Sequence, residues 1–326
     1  MMTSLLTMLL CLATGKSDAQ PCVVIVVGAA GATEYKGQFE RSAELWQAAA
    51  QNAGVLSLQI GKDDQAGVSD HDRLHSVLLE QAKKGPQSLW IVLIGHGTYD
   101  GREAKFNMRG PDLTDRELAE WLSPIKSQIV VIDCASASGP FINSLSGPNR
   151  VVIAATKSGF ETNFSRFGQY LAETIADPRA DLDKDGQVSL LEAYLTAASR
   201  VEEYYRARSQ LASEHALLDD NGDKVGTPAS WFKGVRATQR AKDGAALDGL
   251  RAHQLHFIPS DRERGMPAEV RRRRDELESL IAALRDRKAK IKDDEYYTQL
   301  EKLMVELARL YRDLQSSGKA KTDAGR

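Results

Sequence analysis

The sequence of 326 residues is poor in cysteine and in aromatic residues, and its charges nearly cancel. Three cysteines are too few for a scaffold held by disulfide bonds, and an odd number leaves at least one thiol free. The formal net charge of −2 gives no overall field that would attract nucleic acid or a membrane surface. These shortages exclude a disulfide-rich module and argue against a nucleic-acid-binding protein.

Long hydrophobic runs are also missing. The apolar stretch near the amino terminus, residues 5–13, is too short for a membrane-spanning helix of about 20 residues. Ser17 and Ala19 follow it at the positions that a signal peptidase reads, although the first four residues carry no Lys or Arg. We therefore predict a cleaved secretory signal over residues 1–19 and a secreted or periplasmic protein without a membrane span. The alternative is a disordered leader or a mis-assigned start.

Short apolar runs rich in β-branched residues recur along the first 260 residues, separated by amphipathic stretches. Such runs predict strands buried on both faces, and their alternation with helices predicts crossovers in a mainly parallel sheet. The predicted strands span residues 22–27, 55–60, 89–94, 129–132 and 151–155, with an edge strand at 253–258, and the predicted helices span 37–52, 70–84 and 163–176. We therefore expect one α/β domain over residues 20–260, with helices flanking the sheet.

Two of the predicted strands end at residues of the kinds used in catalysis. His96 and Gly97 follow the strand at 89–94, and Cys134 follows the strand at 129–132. Ligands of open α/β sheets bind at the carboxyl ends of the strands, so His96 and Cys134 would share one crevice if these strands are neighbours. The alternative is structural, with Cys134 as a small buried side chain and His96 as a turn residue with a satisfied ring.

A cysteine peptidase needs a thiolate, a proton donor for the leaving amine and an oxyanion hole. Cys134 would supply the nucleophile, and His96 the general acid and base. The backbone amides of Gly97 and Cys134 would stabilise the oxyanion. Cys22 begins the first predicted strand, about a strand length away from Cys134, which is too far for a disulfide bond. We therefore predict that Cys134 is free and reactive.

The segments 94–97 (Ile-Gly-His-Gly) and 132–134 (Ile-Asp-Cys) resemble the motifs of the caspase–legumain superfamily of cysteine peptidases. The resemblance covers roughly residues 23–258. It is closest to the legumain-like group, which includes asparaginyl endopeptidases and the catalytic subunit of the GPI-anchor transamidase. It implies a caspase-like fold, protein or peptide substrates and a dyad of His96 and Cys134. Members often cut after Asn or Asp, but the P1 preference of this chain stays unresolved.

A second motif, residues 181–192, matches the twelve-residue calcium-binding loop of EF-hands. Oxygen-bearing side chains alternate along it, Gly186 allows the sharp turn, and a Glu closes the loop for bidentate coordination. The predicted metal ligands are Asp181, Asp183, Asp185, Gln187, Ser189 and Glu192. We expect a structural Ca²⁺ ion here, and the alternative is a solvated acidic cap on the helix that follows.

The stretch 217–223 looks similar but fails the motif, since Lys224 and Ser230 stand where a Gly and the final acid are required. We interpret it as a turn-rich loop, with a weaker ion site as the alternative. In a caspase-like fold, this stretch and Trp231 would help to form the substrate pocket.

Beyond residue 266 the sequence becomes highly charged and carries a helical apolar stripe. Leucines recur every three or four positions over 300–314, and a looser stripe covers 270–291. We predict a helical hairpin or coiled coil over residues 266–315, packed on itself or on the main domain, and a disordered tail over 316–326. A homodimer or a partner contact through 266–315 is the alternative.

Together these features predict a cysteine endopeptidase that hydrolyses peptide bonds through a thioacyl-enzyme, with His96 and Cys134 as its dyad. Two alternatives use the same fold. One is a catalytically inactive, Ca²⁺-dependent binding scaffold, and the other is a transamidase that uses the same dyad.

Overall fold

The computed structural model describes residues 20–62 and 67–323, with side chains described as far as residue 314. The predicted signal over residues 1–19 lies outside the described residues, so the secreted or periplasmic location stays a prediction. Within the described ranges, no helix combines the length and the apolar character that crossing a bilayer requires.

A seven-stranded sheet forms the centre of the fold, and two smaller sheets lie beside it. The strands are β1 Cys22–Val27, β2 Leu56–Ile60, β3 Ser88–Ile94, β4 Gly97–Tyr99, β5 Ala104–Phe106, β6 Leu113–Thr114, β7 Gln128–Asp133, β8 Arg150–Ala154, β9 Leu217–Asp219, β10 Thr227–Pro228, β11 Phe232–Lys233 and β12 Arg236–Ala237. The large sheet has the order β2-β1-β3-β7-β8-β9-β10. Neighbours from β2 through β8 pair in parallel, whereas β9 and β10 add antiparallel pairs at one edge. The sheet is mainly parallel, as the sequence predicts.

Helices cover both faces of the large sheet. They are α1 Thr33–Ala53, α2 Asp70–Lys84, α3 Asp115–Leu122, α4 Gly139–Leu145, α5 Phe167–Thr174, α6 Leu190–Ala207, α7 Leu250–Gln254, α8 Asp261–Arg264, α9 Ala268–Asp286 and α10 Asp293–Asp323. One face packs against α1, α5, α6 and α7, and the other against α2, α3 and α4. Side chains of β1 alternate between the two cores, with Ile25 in the first and Val24 in the second. Because both faces are buried, the parallel strands are apolar throughout.

The three-stranded sheet, in the order β4-β5-β6, directly follows β3. Phe106 on β5 packs against two glycines, since a Cβ added at Gly28 or Gly95 would lie 3.0 or 2.9 Å from its ring. These glycines follow β1 and β3 respectively. Their lack of a side chain lets the small sheet close over the carboxyl ends of the two central strands.

The edge strand predicted at 253–258 is wrong. The chain there forms the end of α7 and an irregular segment, and β9 and β10 build the edge of the sheet instead. Asp220 accepts hydrogen bonds from the amides of Gly249 and Ala252, at 2.9 and 2.8 Å, and so stabilises the start of α7. The apolar Phe257 is buried between two tryptophans of the core. This apolar residue therefore packs in the core beneath the helices and is not part of a strand.

The hairpin of β9 and β10 occupies part of the stretch for which the sequence predicts only turns. Its turn is held by Asp219, whose carboxylate accepts hydrogen bonds from the amides of Gly222 and Lys224, at 2.9 and 3.2 Å. The strands on either side are only three and two residues long. Such short strands carry little periodicity in the sequence.

At the carboxyl terminus, α9 and α10 pack against each other. Arg273 of α9 forms an ion pair with Glu306 of α10, and the buried Arg274 pairs with Glu263 of α8 at 2.6 Å. The backbone of α10 is helical as far as residue 323, through most of the segment 316–326 for which the sequence predicts a disordered tail. A dimer or partner contact through these helices stays a prediction.

Candidate functional site

The two predicted catalytic residues emerge at the same edge of the sheet. β3 and β7 are hydrogen-bonded neighbours, with Leu93 opposite Asp133, and His96 and Cys134 follow these strands. The amide of Cys134 still belongs to the ladder, since it donates to the Leu93 carbonyl at 2.9 Å. His96 and Cys134 therefore leave neighbouring strands at one edge of the sheet, and the surroundings of each side chain decide its chemistry.

Aromatic side chains hold the ring of His96. Its centroid lies 4.7 Å from that of Tyr35, 5.2 Å from that of Phe39 and 6.0 Å from that of Phe164. Burial lowers the pKa of His96 below its ordinary value of 6.5, and a hydrogen bond to the Ala30 carbonyl opposes this shift to a smaller extent. The ring is therefore neutral at pH 7 and fixed in orientation, which suits a general base.

The side chain of Cys134 continues the pleat of β7. Val130 and Ile132 point towards α1, α5 and α6, and Cys134, two positions further on, belongs to the same core. It packs against the first turn of α5, where a Cβ added at Gly168 would lie 2.8 Å from the Cys134 Sγ. Only 5% of Cys134 is exposed. The thiol therefore lies beneath a helix and not in an open crevice.

The thiol of Cys134 is also electrostatically unsuited to ionise where it lies. Burial raises its pKa well above the ordinary value, and the charge of Asp133 raises it further. A nucleophilic cysteine reacts as the thiolate, whereas this thiol is protonated at neutral pH. Within the described residues, His96 makes no hydrogen bond to it. Cys22 and Cys134 are both free thiols, so the predicted free state is present but the predicted reactivity is not supported.

The positive end of α5 does not activate this thiol, because a buried carboxylate already occupies it. Glu214 Oε2 accepts hydrogen bonds from the amides of Arg166 and Phe167, at 2.8 and 3.0 Å, and from the Ser165 hydroxyl at 2.7 Å. The other oxygen of Glu214 accepts from the Tyr205 hydroxyl at 3.1 Å. A helix amino terminus can lower the pKa of a cysteine, but here Glu214 neutralises it.

The two amides predicted to stabilise an oxyanion are both engaged within the protein. The Cys134 amide donates to the Leu93 carbonyl, and the Gly97 amide donates to Ser136 Oγ at 3.2 Å. The Ser136 hydroxyl in turn donates to the Gly97 carbonyl at 3.1 Å. In this conformation, neither Gly97 nor Cys134 has an amide free for an oxyanion.

The turn after Cys134 is held by hydrogen bonds along its whole length. Ala137, at its centre, has a φ of 56°, a left-handed conformation that is costly for a residue other than glycine. The bonds run from Ala135 N–H to Asp133 Oδ1, from Ala137 N–H to the Glu161 carbonyl, from Gly139 N–H to Thr156 Oγ1, and between the hydroxyls of Ser138 and Thr156. These bonds fix the path of the chain directly after Cys134.

Asp133 is a fully buried carboxyl group directly before this turn. One of its oxygens accepts from the Ala135 amide at 3.0 Å, and the other has no hydrogen-bond partner among the described residues. Burial raises the pKa of Asp133 to about 7. The charge of this carboxylate is therefore unfavourable at its site.

The sequence predicts that Ser136, with Ser138 and Gly139, shapes the turn after Cys134, but sequence reasoning missed the bond between Ser136 and Gly97, the role of Glu214 and the burial of Cys134. The burial had a signal, because Cys134 extends an alternating series of core positions on β7. Ser136 and Glu214 had none, since their contacts with Gly97 and Phe167 join parts of the chain 39 and 47 residues apart.

A groove with both apolar and polar walls, which we call the Phe160 groove, lies beyond the carboxyl ends of β7 and β8, and its polar lining includes Asn143, Lys157 and Ser158. Phe160 is 79% exposed, and its ring packs edge-on against Tyr99 with 5.3 Å between centroids. Gly159 is required beneath them, since a Cβ there would meet the Tyr99 ring. The apolar walls are formed by Tyr99, Pro140, Ile142, Phe160, Leu217 and Val225. Leu217 comes from the stretch predicted to help form a substrate pocket, whereas Trp231 does not line this groove.

The loop over residues 181–192 brings three of the six predicted metal ligands together. Asp181, Asp183 and Asp185 each offer a carboxylate oxygen, and these oxygens lie within 4.8 Å of one another. Gly186, with a φ of 95°, makes the turn that the motif requires and donates its amide to Asp181 at 3.1 Å. Three clustered carboxylates are the hard oxygen donors that Ca²⁺ prefers.

The predicted bidentate ligand, Glu192, is engaged elsewhere in the same loop. One of its oxygens accepts from the amides of Leu182 and Asp183, at 2.7 and 3.1 Å. The other accepts from the amide and hydroxyl of Ser189, forming the capping box of α6. Ca²⁺ binding through Glu192 and Ser189 would therefore need these side chains to exchange partners.

Gln187, the remaining predicted ligand, and the neighbouring His253 connect the loop to the segment around α7. Gln187 Oε1 accepts from the Ser260 amide at 3.1 Å, and its Nε2 donates to Asp185 Oδ2 at 3.3 Å, so its side chain joins the carboxylate cluster to that segment without offering it an oxygen. In EF-hand loops this position supplies a backbone carbonyl, which the Gln187 side chain does not affect. His253 Nε2 lies 2.9 Å from Asp183 Oδ2. The donor set fits a hard cation at its aspartate end.

Comparison with known proteins gives a likeness of architecture only. No protein-family profile matches the sequence, and no curated protein matches it. The Drosophila initiator caspase Dronc aligns at 14% identity and a TM-score of 0.43, over 63% of this chain and 80% of Dronc. Caspase-1 from Spodoptera frugiperda aligns at 8% identity and a TM-score of 0.40, over 62% of this chain and 87% of that one. Raptor from Chaetomium thermophilum aligns at 8% identity and a TM-score of 0.34, over 48% of this chain and 18% of Raptor.

Proposed function

We propose that this chain is a caspase-like protein that binds peptides without cleaving them. The observation that carries the proposal is the position of Cys134, whose protonated thiol is packed under α5 against Gly168. The engagement of the Gly97 amide by Ser136 supports it independently. Cysteine peptidases need an ionised thiol as the nucleophile and a free amide for the oxyanion, and in this structure Cys134 and Gly97 provide neither.

The Phe160 groove supports a binding role. An aromatic ring that is 79% exposed beside a second aromatic ring is a feature of recognition surfaces, where such residues provide most of the binding free energy. The groove lies where ligands of open α/β sheets bind, at the carboxyl ends of the strands. Its walls would accept a bulky apolar side chain of an extended peptide.

The second candidate is the cysteine peptidase, or a transamidase with the same dyad. The position of His96 favours it, since the ring is neutral, oriented by Ala30 and located at the same sheet edge as Cys134. Catalytic contacts can be loose before substrate binds, so the resting geometry does not by itself exclude this candidate. It requires the turn after Cys134 to rearrange and the thiol to become exposed.

The deciding experiment is active-site labelling with peptidyl acyloxymethyl ketones carrying Asn, Asp, Arg or Lys at P1, with and without Ca²⁺. Peptide mapping would locate any modified cysteine, and His96→Ala and Cys134→Ala would serve as controls. We expect no labelling of Cys134 in the native protein, whereas iodoacetamide should modify it fully after denaturation. A peptide array would then be screened with the wild type and with Cys134→Ala, which should bind equally.

Labelling of Cys134 that disappears in His96→Ala would overturn the non-catalytic proposal and establish the dyad. Transfer of the acyl group to an added amine would then separate a transamidase from a hydrolase. A protein that neither labels nor binds any peptide would refute both candidates.

We also propose that the loop over residues 181–192 binds Ca²⁺. The clustering of Asp181, Asp183 and Asp185 supports this proposal. The ion would replace the bonds that these carboxylates make to backbone amides and would brace the loop before α6. The chemistry is structural, since the loop follows α5 and the 3₁₀ turn at 178–180 and contributes no residue to the Phe160 groove.

A further inference from the structure

Asp220 and Asp248 form a pair of buried carboxyl groups at the antiparallel edge of the sheet, each 3% exposed. Asp248 Oδ1 accepts from the amides of Asp220 and Asn221, at 3.0 and 3.1 Å, and Oδ2 accepts from the Thr227 hydroxyl at 2.6 Å. Asp220 in turn accepts from the amide of Gly249, directly after Asp248. Each carboxyl group therefore holds the backbone that carries the other.

The pair joins the β9–β10 hairpin to α7. Asp220 directly follows β9, Thr227 begins β10, and Gly249 is the cap residue of α7. Leu217 and Val225 of the same hairpin line the Phe160 groove. A loss of these bonds would therefore move one wall of the groove.

The charges that face the pair do not balance two carboxylates. Arg251 of α7 is the cation that acts on Asp220, and its guanidinium also donates to the Arg150 carbonyl. Asp219 of β9 is a buried carboxyl group that also acts on Asp248, and Asp223 of the hairpin turn lies beside Asp219. From α6 comes Tyr194, whose pKa is raised by burial, so that its hydroxyl stays neutral. One cation among these groups leaves room for about one negative charge on the pair.

We propose that Asp220 and Asp248 share one proton in the folded protein and that this proton stabilises the contact of the β9–β10 hairpin with α7, so that the contact weakens as the pH rises through neutrality. With the proton in place, the Asp248 carboxyl donates to the Asp220 carboxylate, and the backbone bonds are kept. Without it, two carboxylates face each other in a site of low polarity, and hydration of the hairpin relieves the repulsion. Burial, with the charge of Asp220 as the next cause, raises the pKa of Asp248 to about 8, in agreement with one proton at neutral pH.

The test is hydrogen–deuterium exchange of the full chain between about pH 6 and pH 9.5, corrected for the pH dependence of intrinsic exchange. In the wild type, we expect protection over residues 217–228 to fall about tenfold per pH unit from about pH 6 to about pH 8, where only the folded state keeps the proton, and to level off above about pH 8, where neither state holds it. Asp248→Asn should keep its protection, because an amide cannot ionise but can still donate to Asp220. Asp223→Asn, an acid of the same turn outside the pair, should behave as the wild type.

A wild-type profile that stays flat to pH 9.5 would overturn the proposal, and so would an Asp248→Asn variant that loses protection with the wild-type slope between about pH 6 and pH 8. If circular dichroism shows that Asp248→Asn is unfolded, Asp220→Asn provides the same comparison from the other carboxyl group. We also expect peptide binding to weaken as the pH rises, and this expectation rests on the proposed function. A protein with the exchange transition but without peptide binding would refute that function and leave the carboxyl pair established.

Discussion

The Ser136 hydroxyl and the Gly97 peptide group bind each other in both directions: the hydroxyl accepts from the amide at 3.2 Å and donates to the carbonyl at 3.1 Å. A Cβ added at Gly97 would meet the Ser136 carbonyl, so the two backbones also touch. The turn after β7 is thereby locked onto the strand that follows His96. Access to the Gly97 amide requires this lock to open.

Replacing Ser136 with Ala should lower the free energy of unfolding by about 1–3 kcal/mol, because it leaves a buried amide and carbonyl without a partner. Urea denaturation measures the change. Ser279→Ala is the matched control, since its hydroxyl donates to the Asp275 carbonyl on an exposed helix surface and should matter little. Equal stability of the two variants would mean that the contact between Ser136 and Gly97 contributes nothing.

Gly168→Ala should destabilise the protein by about 1–3 kcal/mol, because the new methyl group would collide with the Cβ and Sγ of Cys134. Gly37→Ala provides the opposite case, since it lies in α1 with nothing within 4 Å of an added Cβ. That variant should gain up to about 1 kcal/mol from helix propensity. Thermal unfolding of both variants checks the packing of Cys134, and a neutral Gly168→Ala would contradict it.

Asp133 should make the protein less stable as the pH rises. Its ordinary value of 3.8 applies to the unfolded chain, and burial raises the pKa to about 7 in the folded protein, which therefore binds the proton more tightly. Its stabilisation is complete below about pH 4 and is lost as the pH rises to about 7, by roughly 4 kcal/mol at most.

The measurement for Asp133 is urea denaturation from about pH 4 to pH 8 in the wild type and in Asp133→Asn. In Asp133→Asn, the free energy of unfolding should not show this part of the decrease with rising pH. Asp248 contributes in the same direction in both proteins, so the difference between them reports Asp133 alone. Identical slopes would show that the Asp133 carboxyl is not protonated in the folded state.

Phe160→Ala should weaken peptide binding about tenfold or more while leaving thermal stability unchanged, because the ring is mostly solvent-exposed in the free protein. Leu211→Ala is the matched control, since Leu211 is 95% exposed and lies outside the groove. Fluorescence polarisation with a peptide from the array measures both. Equal binding by the two variants would remove the groove from the recognition surface.

Addition of Ca²⁺ should stabilise the chain by about 3 kcal/mol at a hundredfold excess over Kd, and Asp181→Ala should abolish this effect. Calorimetric titration and thermal unfolding measure binding and stabilisation separately. Asp223→Asn, in the hairpin turn that fails the motif, should leave both unchanged. If the wild type shows neither heat of binding nor stabilisation, the acidic loop is only a cap on α6.

The parallel core could be predicted from the sequence because runs such as 22–27 are apolar at every position, which a strand covered on both faces requires. The shared edge of His96 and Cys134 follows from the same strands. The alternation of side chains along β7 also predicts the burial of Cys134, because Cys134 lies two positions after the buried Ile132. The short strands β9 and β10 could not be predicted, because their place depends on buried carboxylates whose partners lie far along the chain.

The engagement of the Gly97 amide likewise depends on a contact between distant segments. Nothing near Ser136 in the sequence distinguishes a serine that seals an amide from one that faces solvent. The Phe160 groove is similar, since Tyr99 and Phe160 come from separate loops that only the closed fold brings together. Local patterns thus predict where functional groups emerge, and tertiary contacts determine whether they are available.

Glu214 would help to hold together the two fragments of a chain that is cut between α6 and β9. Leu211 lies on the exposed connection between α6 and β9, a favourable site for a protease. A nick there would leave β9 paired with β8 and Glu214 bonded to the start of α5, so both fragments would keep their places in one sheet. We therefore expect limited proteolysis to yield two pieces on a denaturing gel that elute together as a single native particle.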